Sequence, residues 1–140
     1  ELFVYEGLPH PVLEGDSFEE EKKRKDLLNV KGHWFYNAKV PVRGETRDRL
    51  MILLFDDNSF GVPGPHDAEK DCGDFHPDYA IVWKSGGEEN HLMICCTCSE
   101  AKLIDEGKTT TYELVVYKNR LKVLSEFQSN RPPKLGSGPL

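Results

Sequence analysis

The arrangement of apolar and polar positions predicts a chain built mainly from short strands. Leu2 to Tyr5 opens it as a short strand within an extended arm punctuated by Gly7, Pro9, Pro11 and Gly15. Ser17 followed three residues later by Glu20 has capping-box spacing, and acidic residues precede basic ones up to Asn29. The spacing therefore predicts a surface helix over 17–29. Residues 34–42 alternate, with Trp34, Tyr36, Ala38 and Val40 on one face, and read as a strand. Leu50 to Phe55 is apolar on both faces and reads as a central strand. Phe60 to Val62 reads as a short return strand after the polar turn Asp56 to Ser59.

The second half gives two strands, Tyr79 to Lys84 and His91 to Cys98, joined at Ser85-Gly86-Gly87 as a hairpin. Glu100 to Gly107 reads as a helical turn closed by its glycine, and Thr109 to Tyr117 as a β-branched strand. Leu121, Leu124 and Phe127 have helical spacing and predict a short C-terminal helix. The expected fold is mostly β: one or two small, partly open antiparallel barrels of the SH3-like kind, with a peripheral helix before the first and a short helix at the end. Punctuation divides the chain into an arm and helix (1–30), a first β unit (31–64), a Pro/Gly-rich linker (65–77), a second β unit (78–130) and a tail (131–140).

Composition narrows the function classes. The 140 residues carry 18 Lys and Arg against 24 Asp and Glu, a net charge of −6. That balance disfavours nonspecific nucleic-acid binding and favours a basic partner. No apolar run approaches the roughly 20 residues that span a bilayer. Cys95, Cys96 and Cys98 crowd one expected strand, where adjacent side chains point to opposite faces. They read as reduced and buried, and with no leader-like N-terminus the expectation is an intracellular protein; a secreted form with its leader removed and one or two bridges is the alternative.

The most informative stretch is His33-Trp-Phe-Tyr-Asn-Ala-Lys-Val40, a polar turn, then Leu50-Met-Ile-Leu-Leu-Phe-Asp-Asp-Asn-Ser-Phe-Gly-Val62. It resembles the heart of a Tudor domain, most closely the tandem Tudor modules of chromatin readers, over about 30 residues. Asn58 stands where that family usually has Gly, and Phe60 falls one place after the usual aromatic. The resemblance implies a nuclear reader of a basic, methylated peptide such as a histone tail. Trp34 and Tyr36 would be cage walls, Phe60 a displaced wall and Asp57 the carboxylate that receives the ammonium. Read as residues alone, Trp34 and Tyr36 serve equally as core aromatics of a small barrel.

Other constellations compete. Gly32-His33-Trp34 with Asp78-Tyr79-Ala80 is similar to lipocalin motifs and implies a carrier of a small apolar ligand, although 43 residues between Trp34 and Asp78 hold few strands. An interaction module that joins proteins through an exposed strand edge is a third class. Cys72-x3-His76 and Cys96-x-Cys98, with His66 and His91, supply soft ligands but not the usual zinc-knuckle spacings. Cys72, His76 and Asp78 do not assemble a nucleophile motif, and no Gly-rich phosphate loop is present. The sequence thus points to a binding module that needs no cofactor, rather than an enzyme.

Overall fold

In the computed structural model, residues 1–62, 75–115 and 122–125 are described. The protein is mostly β, organised on one seven-stranded antiparallel sheet. Its strands are β1 (Leu2–Glu6), β4 (Val40–Pro41), β5 (Phe60–Gly61), β6 (Tyr79–Ser85), β7 (Glu88–Cys95), β8 (Glu100–Asp105) and β9 (Lys108–Leu114), in the order β4-β1-β6-β7-β8-β9-β5. β4 and β5 are its edges, and no pairing among the described residues joins them into a barrel. The sheet takes strands from both sides of the expected 65–77 linker, because β1 pairs with β6 along its whole length.

A separate hairpin, β2 (Leu27–Val30) with β3 (His33–Tyr36), lies against one face of the sheet. Among the described residues, three helices accompany the strands: α1 (Gly15–Glu21), α2 (Gly44–Phe55) and α3 (Lys122–Ser125).

Strand alternation divides the core into two layers. On one face Val4, Ile81, Leu92, Ile94 and Ala101 pack with Leu50 and Leu53 of α2 and with Val123 and Leu124 of α3. On the other, Ala80, Val82, Met93 and Ile104 receive Val30 and the fully buried Phe35 of the hairpin. The two sets interleave residue by residue along β6 and β7, as a pleated strand requires.

Three hairpins turn through two-residue loops with both residues at positive φ: Lys31-Gly32, Gly86-Gly87 and Glu106-Gly107. This mirror-image turn matches the twist of the strands it joins, and glycine in the second position adopts it without strain.

Several expectations are corrected. Leu50 to Phe55 is helical, not a central strand: the polar residues from Gly44 to Arg49 form the first half of α2, and Leu50 and Leu53 of its second half face the sheet. Glu100 to Gly107 is not a helical turn but β8 and its loop, with Gly107 serving the hairpin. The helix expected over 17–29 ends at Glu21; residues 22–26 turn the chain, and β2 takes the rest from Leu27. Ser17 is not its cap; α1 begins at Gly15, and the N–H groups of Val12 and Leu13 ahead of it donate to His10 Nδ1. The C-terminal helix is described only over Lys122–Ser125, and the tail from 131 lies outside the described residues.

Candidate functional site

The chain enters α2 directly after β4, one edge of the sheet, and leaves it just before β5, the other edge. The helix must therefore cross the strands. It covers only part of the face, and an open groove of about 560 Å³ runs beside it. The floor takes one side chain from each successive strand: Leu2 from β1, Trp83 from β6, Leu92 from β7, Leu103 from β8, Tyr112 from β9 and Phe60 from β5. Register sets them on a diagonal: Leu2 stands opposite Trp83 and Leu92 opposite Leu103, but Trp83 pairs with Asn90, Leu103 with Thr110 and Phe60 with Leu114, so the line steps along the strands at the other joints. Six strands at a spacing of about 4.8 Å carry that diagonal roughly 24 Å across the sheet.

The wall is a stripe of α2: Arg47, Met51, Leu54 and Phe55. Positions four and seven residues after Arg47 lie on one side of a helix, so this stripe and the buried pair Leu50 and Leu53 divide the work. One side faces the core and the adjoining side faces the groove. Phe60 and Tyr112 meet edge to face at 5.9 Å and close the β5 end with a pair of rings. Glu1, Arg47 and Lys84 border the opposite end. Strand alternation turns the Cβ of Lys84 to the other face, where it stands opposite Glu89, so Lys84 reaches the groove only from its rim, whereas Arg47 belongs to the stripe of α2 that forms the wall.

A second cluster lies on the hairpin side. The imidazole of His10 is 3% exposed. Its Nδ1 accepts the N–H groups of Val12 at 3.1 Å and Leu13 at 3.2 Å, and its ring stands edge-on to His76 with centroids 5.2 Å apart. His76 Nε2 contacts the Leu8 carbonyl at 2.7 Å. Burial lowers the pKa of His10, and the neighbouring His76 lowers it further, against the opposing charges of Asp78 and Glu14. Burial also lowers His33, with Lys102 and His76 adding to the effect.

Asp78 Oδ2 accepts the N–H of Cys96 at 2.7 Å. The Cys96 thiol is pushed up to about 12 by burial and by that carboxylate, which makes it a poor nucleophile at neutral pH.

The expected site residues are distributed over the molecule. Trp34 and Tyr36 share the face of β3 that points away from the sheet, because Phe35 between them is the residue that points in. Trp34 is 43% exposed, whereas Tyr36 is 2% exposed and has the Arg24 guanidinium 5.9 Å from its ring centroid. The chain's own cation already occupies that aromatic face. Phe60 lies in the groove on the opposite side of the sheet, packed on the α2 layer. Asp57 is exposed in the 3-10 turn Asp57–Ser59 just before it. The fold brings Trp34 and Tyr36 together and Asp57 and Phe60 together, but does not unite the pairs in one cage.

The cysteine expectation is also corrected. Cys95 and Cys98 form a disulfide, with Cα atoms 5.6 Å apart. Strand β7 ends at Cys95, and the four-residue loop to β8 brings Cys98 back toward it, so strand alternation no longer separates the two. This removes Cys98 from the considered zinc set and with it the ground for reading the cysteines as reduced. Cys72 and His66 lie outside the described residues, and His91 contacts Glu89 at 3.0 Å. No group of metal-binding side chains occurs among the described residues. No helix there is long and apolar enough to cross a membrane.

Of the groove residues, only Phe60 is among the site residues that the sequence suggests. Trp83 and the Arg47-Met51-Leu54 spacing were the available signals. No family model, curated protein or solved structure matches the chain.

Proposed function

We propose that this protein is a binding domain for a small, largely apolar ligand, held in the groove between α2 and the sheet. The observation that carries this reading is the groove itself. Its volume of about 560 Å³ is of the size that holds a small molecule, and its walls are largely hydrocarbon and aromatic, with Arg47, Lys84 and Glu1 at one end. Such a lining holds a ligand by burying its surface; it is poor in groups that make or break bonds. The reading keeps the carrier alternative of the sequence but places the ligand beside a helix rather than inside a barrel.

Titration with Nile red, an uncharged apolar dye, tests it. Saturable fluorescence enhancement is expected in the wild-type protein, and a loss of at least about tenfold in affinity in Leu103→Trp, which fills the floor. Met51→Glu, which brings a charge to the wall, should act the same way while circular dichroism stays unchanged. Unaltered dye binding in both folded variants would refute the assignment.

A further inference from the structure

We infer that the ligand is a linear amphiphile with an anionic head, a long-chain carboxylate, lying along α2 with its head at Arg47 and its tail at Phe60 and Tyr112. The inference rests on the groove reading above and adds its chemistry and direction.

Three observations support it. The first is shape. A volume of about 560 Å³ spread along a floor that crosses six strands makes a long, narrow trough. At about 4.8 Å per strand the trough extends roughly 24 Å, which suits an extended chain better than a compact ring system.

The second is polarity. Arg47 borders the groove beside β1 and β6, and the Phe60–Tyr112 ring pair borders it at β5 and β9. A guanidinium at one end and two rings at the other match a molecule with one charged end and one hydrocarbon end. Arg47 presents a planar fork of donors that suits both carboxylate oxygens.

The third is the electrostatic setting. Arg47 and Lys84 both border the charged end against the single carboxylate of Glu1, so attraction for an anion is local to it although the chain as a whole carries −6. At physiological salt, screening over about 8 Å weakens the more distant repulsion. The hydrocarbon tail supplies most of the affinity and the head supplies orientation.

The test is displacement of Nile red from the full chain by palmitate and by hexadecanol, which share a chain and differ in the charged head, in wild type and in Arg47→Gln. Palmitate is expected to displace the dye about tenfold more effectively than hexadecanol in wild type. That preference is expected to fall below about threefold in Arg47→Gln and to survive in Arg47→Lys, which keeps the charge. Octanoate is expected to compete at least about tenfold less well than palmitate, because it leaves the ring-lined end unfilled. Equal displacement by acid and alcohol, or a preference indifferent to Arg47→Gln, would overturn the carboxylate assignment while leaving the groove intact. Absence of any Nile red binding would overturn both.

Discussion

His10 and His76 stand edge-on with their ring centroids 5.2 Å apart, and His10 is held there by two backbone N–H groups that both point at its Nδ1. A nitrogen that accepts two hydrogen bonds cannot also carry a proton, so the buried ring is neutral with its hydrogen on Nε2. Charging it means breaking both bonds and placing a cation beside a second imidazole.

The consequence is a pH dependence with a definite sign. The folded-state pKa of His10 lies below its ordinary value near 6.5. The unfolded chain therefore binds the proton more readily, and stability is full above about pH 6.5 and declines as the pH falls below it. Urea unfolding followed by circular dichroism between pH 7.5 and 5 is expected to show this decline. His10→Asn, whose side-chain oxygen accepts but does not titrate, is expected to make it shallower, leaving the part that His33, also lowered by burial, contributes. An equally steep decline in that variant would place the effect elsewhere.

Gly7 sits where the arm crosses the strand leading into β6. A Cβ there would overlap the Pro77 carbonyl oxygen, and the Gly7 N–H donates to the Asp78 carbonyl at 2.7 Å. Gly7→Ala is expected to cost about 2–3 kcal/mol in chemical denaturation. Gly32→Ala meets open space and is penalised only through its positive φ, by about 1 kcal/mol. Equal costs for the two would argue against the close approach of backbone at Gly7.

Adjacent residues of β3 have opposite roles. Phe35 is fully buried in the layer that joins the hairpin to the sheet, whereas Trp34 is 43% exposed. Phe35→Ala is expected to cost about 3–5 kcal/mol, and Trp34→Ala less than about 1 kcal/mol. The reverse order would mean that the strand presents its other face to the sheet.

The Cys95–Cys98 disulfide closes a loop of four residues between β7 and β8. A loop that short contributes about 2 kcal/mol by restricting the unfolded chain. Reduction is expected to lower Tm by roughly 5 °C. Peptide mapping after alkylation in denaturant is expected to show Cys95 and Cys98 blocked until reductant is added; finding both freely alkylated would contradict the pairing.

The sequence carried the strands of the sheet well where alternation was long and turn residues were strong, as in β6, Gly86-Gly87 and β7. It misled where a short apolar run fits two periods. Leu50 to Phe55 has six apolar residues in a row, and such a run distinguishes a strand from a helix only when its polar approach, here Glu45 to Arg49, is counted with it. Lys31-Gly32 and Glu106-Gly107 are poorly legible as hairpin loops because their first residue is an ordinary one that takes positive φ. Residues of the groove were illegible as a set. Leu2, Trp83, Leu103, Tyr112 and Phe60 are scattered over the chain, and only strand order brings them to one floor. Trp34 and Tyr36 drew attention by their spacing, yet spacing on a strand says which residues share a face and not which face meets solvent.

The two tryptophans lie on opposite sides of the sheet, which allows the central claim to be read directly. In Trp34→Phe, the only remaining indole is Trp83 on the groove floor. Titration of that protein with palmitate is expected to shift and saturate the Trp83 emission, while Trp83→Phe, which keeps only Trp34, stays silent. A response from Trp34 with none from Trp83 would contradict the account and return the binding site to the hairpin.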